Sequence, residues 1–168
     1  MIGLGHVQEG IAQMREGLAV RQALGERCHI SGILGALAEA QAKAGQPESG
    51  LAILSETLAQ VQETNERSYE AELYRLRGEL LLMQGDQAEA EASLHKALEV
   101  ARRQQAKSWE LRATVSLCRL QQQQGRVDQA QQALTEIYGW FTEGFDTPDL
   151  CEARELLEEL STQSPDPG

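Results

Sequence analysis

The chain has 168 residues, 41% hydrophobic but only 4% aromatic, with 15 basic and 26 acidic side chains and a net charge of −11. The length suggests one domain, the abundance of alanine, leucine, glutamine and glutamate favours helix over sheet, and four prolines without a long polar tract argue against bulk disorder. So acidic a chain repels phosphate backbones and makes nucleic acid a poor partner; with no signal peptide and no apolar run near the ~20 residues of a membrane span, a soluble cytoplasmic protein without a membrane partner is expected.

From the N-terminus, residues 5–27 read as half a repeat: a second helix, about Gly5 to Leu24, without the first helix that would cover Ile11, Met14 and Leu18. Terminal repeats need a polar outer face, so this end predicts self-association, as a homodimer through the N-terminal hairpin with Ile11, Met14 and Leu18 at the contact. Residues 28–67 form the next unit, in which Pro47 follows the Gly45 stop and suits the first turn of a helix. In the unit 68–107, Ser68 opens a helix with Leu73, Leu76, Leu80 and Met83 on one face. Gly85 ends it. Asp86 caps the next helix, with Glu89 three residues on in a capping-box pattern, and Ala90, Leu94, Ala97, Leu98 and Ala101 make its buried stripe.

The unit 108–147 holds the one aromatic cluster, Trp140, Phe141 and Phe145, which is expected to seal the stack against a last helix; a partner anchor is the other reading. Thr147 and Pro148 cap and begin that final helix, 148–160. The tail 161–168, with two prolines and a glycine, is expected to be disordered.

A 40-residue step relates these units. Gly5, Gly45, Gly85 and Gly125 stand in one register, with a small column at Gly10, Gly50, Ala90 and Ala130. Met14, Leu54, Leu94 and Leu134 form a large apolar column, and Leu18, Leu58, Leu98 and Tyr138 another. His29, Tyr69 and Trp109 make a ring column; Ala38, Gly78 and Cys118 are again small. Helix pairs joined by short turns and repeated in register predict an all-α stack of hairpins, a solenoid.

Gly78, Ala90, Leu94 and Ala97 match the small, small, large and small positions of tetratricopeptide repeats, although the usual unit is about 34 residues. The segment Tyr138-Gly-Trp-Phe-Thr-Glu-Gly-Phe-Asp-Thr-Pro-Asp-Leu150 and the segment Glu70-Ala-Glu-Leu-Tyr-Arg-Leu-Arg-Gly-Glu-Leu80 resemble the C-terminal arrays of large bacterial signalling ATPases. These include maltose-activator-like regulators and proteins with an adenylate cyclase or winged-helix domain at the front. The resemblance implies a single domain over 1–160, a right-handed superhelical α-solenoid whose first helices line a concave groove. Catalytic and DNA-binding parts of those proteins have no counterpart here.

Counting from the small position, the exposed residues of that groove should include Glu39, Lys43, Glu72, Arg75, Glu79, Arg112, Arg119, Gln122 and Gln123, with room left by Gly32 and Gly35. The groove should be acidic at one end and basic at the other. Arginine suits a two-bond grip on a carboxylate. The lysine and asparagine clamp of chaperone-binding repeats is not supported, because Gly35, Glu39, Arg75 and Glu79 stand at the comparable places.

Chemistry is sparse. Gly5-x4-Gly10 and Gly45-x4-Gly50 lack the lysine and hydroxyl of a phosphate loop. His6, His29 and His95 are dispersed, Cys28 beside His29 is one ligand pair at best, and Cys28, Cys118 and Cys151 offer no disulfide framework. Glu152, Glu155, Glu158 and Glu159 read as a solvated helix face, and no nucleophile–base motif is present. No catalytic residue, cofactor or metal is expected.

The sequence therefore predicts a non-enzymatic scaffold that takes a peptide or partner protein in its groove. The alternative is a sensory module of a bacterial signalling ATPase or transcription regulator that binds a small inducer and controls self-assembly. An open groove fits the first, and a closed polar pocket the second.

Overall fold

The computed structural model describes residues 2–23 and 30–163, and every regular element among them is helical. The helices are α1 (Ile2–Ala23), α2 (Ile30–Lys43), α3 (Pro47–Thr64), α4 (Glu70–Met83), α5 (Gln87–Arg103), α6 (Lys107–Gln123), α7 (Val127–Tyr138) and α8 (Pro148–Gln163). Cys28, His29, the end of the half repeat and the tail from residue 164 lie outside the described residues.

The tight turns inside each hairpin come from one device. Gly45, Gly85 and Gly125 have φ of +80°, +84° and +76°, a region closed to most side chains. At each, two backbone bonds close the preceding helix: Gly85 N–H reaches the Leu82 carbonyl at 3.0 Å and Asp86 N–H that of Leu81 at 3.1 Å, with counterparts at Gly45 and Gly125. First helices end at Lys43, Met83 and Gln123, and second helices begin at Pro47, Gln87 and Val127, 40 residues apart in each series. Asp86 caps α5 by accepting from Glu89 N–H at 3.1 Å. The reciprocal half of a capping box is absent among the described contacts, because Asp86 N–H is already bonded to Leu81.

Helix packing gives the shape. Successive first helices α2, α4, α6 and α8 pack on one another, whereas the second helices α3, α5 and α7 do not meet among the described residues. A row whose members touch lies on the inside of a curve, and the other row splays outward. The first helices therefore form the concave face of a solenoid. Within each hairpin the small columns meet: a Cβ added to Gly50 would stand 2.7 Å from the Ala38 carbonyl oxygen, and one on Gly78 2.7 Å from Leu94 Cγ. Cys118 donates its thiol to the Ala130 carbonyl at 3.2 Å. Leu54, Leu94 and Leu134 are fully buried at the centres of these contacts. Tyr69 and Trp109 pack against each other at a tilt of 53°, with ring centroids 5.8 Å apart.

Three boundaries differ from the sequence reading. The third unit's first helix begins at Glu70, not Ser68, after a turn in which Asn65 takes φ +57°. The next first helix begins one residue before the predicted unit 108–147, at Lys107, because a left-handed Gln105 compresses the connection from α5 to three residues. The last helix continues to Gln163: Leu160 is buried, Gln131 bonds Ser161 at 3.2 Å and Gln122 bonds Gln163 at 3.2 Å, so residues 161–163 are tied to the stack. No helix of the described residues is long and apolar enough to cross a membrane.

The connections between hairpins carry a feature invisible in the apolar columns. Glu70 and Glu110, 40 residues apart, are both buried. Glu70 accepts from Gln62 Nε2 at 3.2 Å and Arg103 Nη2 at 3.2 Å, with Arg67 at 3.7 Å. Glu110 accepts from Arg102 Nε at 2.8 Å and Lys107 Nζ at 2.7 Å. Each carboxylate thus ties the start of a first helix to the end of the second helix before it or to the intervening turn. A buried carboxylate persists only when its oxygens are bonded in this way.

Candidate functional site

The concave face of α4, α6 and α8 holds a small, partly open cleft of about 70 Å³, lined by Arg75, Glu79, Arg112, Val115, Ser116, Arg119, Asp149 and Glu152. Three successive first helices contribute, so the cleft exists only because the hairpins stack. Its floor is Arg75. Glu72 grips this guanidinium with two bonds, Nε–Oε2 and Nη2–Oε1, both 2.8 Å. Glu79 binds it from the next turn and also accepts from Ser116 Oγ at 2.8 Å. Burial works against the charge on Arg75, but the bonds and charges of Glu72 and Glu79 outweigh it and raise its pKa above the ordinary value. Arg75 is a permanent cation.

A ladder of charges runs outward from this floor. Glu72 Oε1 also forms an ion pair with Arg112 Nη2 at 2.7 Å, and Arg112 reaches Asp149 at 4.0 Å. Arg112 lies over the Trp109 ring, 5.5 Å from its centroid. Further along α6, Arg119 bonds Glu152 at 3.0 Å, each side chain about half exposed (48% and 50%). Acid and base alternate between neighbouring first helices, so the ladder fixes their spacing as well as lining the cleft.

Five of the sequence-predicted groove residues, Glu72, Arg75, Glu79, Arg112 and Arg119, are brought together here. Four are not: Glu39 and Lys43 pair with each other on α2 at 2.7 Å, Gln122 bonds Gln163 at the far end of α6, and Gln123 is exposed at the end of that helix. Arg75 is not the exposed groove residue expected, being only 7% accessible. Its position follows Gly35 in register, and the space a side chain at 35 would fill lies against Leu73 and Leu76. Nor is the groove acidic at one end and basic at the other, since its charges interleave as pairs. Glu152, expected on a solvated face, turns into the cleft; the 40-residue step from Glu72 through Arg112 leads to it and was the signal available. Ser116 and Asp149 carried no such signal.

The N-terminal face also differs from expectation. Ile11 is buried at 3%, covered by α2, the only helix that α1 touches among the described residues. Met14 and Leu18 are half-buried, and a Cβ at Gly10 would meet nothing within 4 Å. Among the described side chains from residue 8 onward, the open side of α1 is therefore chiefly glycine and polar residues (Gln8, Glu9, Gln13, Glu16), with Val20 exposed. Ile11 drops out of any self-association surface.

The aromatic cluster divides. Phe141 and Tyr138 pack on the core cluster of α6, α7 and α8. Trp140 does not seal the stack: it is 57% exposed, edge-on to Phe141 at 5.2 Å. His95 is exposed beside Glu91, and among the described residues no group of three His, Cys, Asp or Glu side chains could hold a metal ion.

Residues 29–103 match the family model described as tetratricopeptide repeat. A crystal structure of kinesin light chain nearly identical TPR-like repeats from Podosopora anserina superposes with a TM-score of 0.67 at 18% identity, covering 95% of this chain and 79% of that one. A point-substituted form of the same repeats gives 0.69 at 17% identity with the same coverage. A search of curated protein sequences returned no significant match. The chain is thus by fold a tetratricopeptide-like, right-handed superhelical α-solenoid, and its residues 29–103 match the repeat family itself.

Proposed function

We propose that the protein is a non-catalytic interaction scaffold that binds a peptide or partner protein across the concave cleft of α4, α6 and α8. Tetratricopeptide repeats generally mediate protein–protein interaction, and stacked repeats create extended concave surfaces suited to it. The observation that carries the reading is the cleft itself: partly open, and lined by Arg112, Arg119, Glu79, Asp149 and Glu152 from three successive first helices. Arg119 and Glu152 are half exposed, and such pairs contribute only about 0–1 kcal/mol. A partner's carboxylate or guanidinium can replace one member at little cost, while buried Arg75 keeps the floor in place. The inducer-sensing alternative needs an enclosed pocket of roughly 300 Å³ or more, and the cleft is only partly enclosed and holds about 70 Å³, which favours the scaffold.

The test selects peptides from a display library on the intact chain and remeasures their affinity for Arg112→Ala/Arg119→Ala. Loss of roughly ten-fold or more is expected, the scale of interface anchors. Unchanged affinity for every selected peptide would move binding off the cleft and overturn the reading.

A further inference from the structure

The charges of the concave cleft are already paired within the chain, but those of one exposed loop are not. Between α7 and α8, residues 139–147 present Trp140, 57% exposed, and Phe145, 41% exposed. The backbone behind them is held: Thr147 N–H and Oγ1 both bond the Gly144 carbonyl, at 2.9 and 2.7 Å, and Cys151 Sγ reaches the Phe145 carbonyl at 3.4 Å. The Phe145 ring rests on Tyr138, centroids 5.7 Å apart, and Trp140 stands edge-on to Phe141. Two large rings are thus fixed in place and left in solvent, an arrangement that costs hydration free energy unless something covers them.

Charge says what would cover them. Glu143 and Asp146 flank the rings in the same loop, are exposed, and form no ion pair among the described residues. The chain as a whole carries −11. Trp140 already accepts one cation, with Lys107 Nζ 5.8 Å from its ring centroid, inside the ~6 Å reach of a cation–π contact. Exposed rings beside unpaired carboxylates are complementary to arginine or lysine carried on an apolar segment. They repel acidic segments and phosphates alike.

We propose that the α7–α8 loop is a second docking surface, separate from the cleft, that takes a basic, apolar-flanked segment of a partner protein, with Trp140 and Phe145 as anchors and Glu143 and Asp146 as charge partners. The surface shares no residue with the lining of the cleft, so one partner, or two, can engage both without competition for the same side chains.

The experiment titrates the full chain with a fluorescein-labelled hexapeptide of alternating arginine and leucine, and with its glutamate–leucine counterpart, by anisotropy at physiological ionic strength. Saturable binding of the basic peptide alone is expected. Trp140→Ala and Glu143→Gln/Asp146→Asn should each weaken it roughly ten-fold or more, whereas Glu158→Gln/Glu159→Gln on α8, an equal change of charge elsewhere, should leave it intact. Arg112→Ala/Arg119→Ala should also leave it intact, which separates this surface from the cleft. Circular dichroism confirms that each variant is folded, and the exposed loop pair serves if Trp140→Ala is not. Equal weakening by both acidic pairs with no effect of Trp140→Ala would reduce the binding to diffuse charge and overturn the proposal. So would binding of the glutamate peptide, or a concentration-dependent dimer that Trp140→Ala abolishes, which would make the occupant a second copy.

Discussion

Gly50 lies directly against the backbone of Ala38: a Cβ there would stand 2.7 Å from the Ala38 carbonyl oxygen and 2.6 Å from Leu80 Cδ2. Leu80 can swing aside, but the carbonyl belongs to a helix and cannot. Alanine would gain up to about 1 kcal/mol in helix propensity, yet forcing α2 and α3 apart costs about 1–3 kcal/mol. Gly50→Ala should therefore lower stability, by up to about 2 kcal/mol once the full propensity gain is subtracted, in urea melts. A stabilised variant would mean the hairpin opens freely and the close approach is not required.

Gln105 follows α5 with φ +55°, a conformation that costs an L side chain roughly 1–2 kcal/mol. Its neighbour in register, Asn65, tolerates φ +57° better because a short amide can bond locally. Gln105→Gly should raise stability by about 0.5–1 kcal/mol, after the greater freedom glycine gives the unfolded chain. Thermal denaturation checks it, and a lowered Tm would show that the Gln105 side chain contributes more than its backbone strain removes.

Gln41 and Gln121 are buried, and the Oε1 of each lacks a hydrogen-bond partner. Leu81 stands midway between them in the same column. An orphaned carbonyl oxygen costs about 1–3 kcal/mol. Gln121→Leu should then stabilise the fold by about 1 kcal/mol, read from the urea midpoint at unchanged m-value. Destabilisation would point to a bond made by the amide nitrogen.

Glu110 makes stability depend on acid. Burial pushes its carboxyl upward, but the bonds and charges of Lys107 and Arg102 outweigh burial and hold it below the usual 4.5. A carboxylate lowered by folding contributes stability that is complete above its unfolded pKa and is lost as pH falls through the folded value. Glu110→Gln should cost about 1 kcal/mol near neutrality, and the gap from wild type should close below about pH 4.5. Parallel urea melts at neutral and acid pH measure it; a gap that persists in acid would show that shape, not charge, matters at this site.

Burial alone pushes the Cys118 thiol up to about 12, and that thiol is bonded to Ala130. The thiolate is the reactive form. Iodoacetamide followed by peptide mapping should leave Cys118 unmodified in the native protein and label it in urea, whereas half-buried Cys151 should be labelled first. Early labelling of Cys118 would reveal that α6 and α7 separate readily.

What the residues alone determined was local. Positive-φ glycines at 45, 85 and 125, the Asp86 cap, and apolar columns at helical spacing specify hairpins and their register, because turn geometry and periodicity depend on neighbours in the chain. Five of the nine residues expected in the groove come together as that register places them, although Arg75 is buried and not exposed; the concave row itself was implied by the resemblance to tetratricopeptide arrays. Tertiary structure decided which charges are free. Arg75 is buried because Glu72, Glu79 and Ser116 close over it from two helices; Glu152 turns inward because Arg119 stands on the helix beside it; Ile11 is covered by α2. Trp140 stays in solvent although its neighbour Phe141 packs inward. A side chain's environment is set by residues roughly one repeat away, and a one-dimensional pattern carries their spacing but not their side-chain directions.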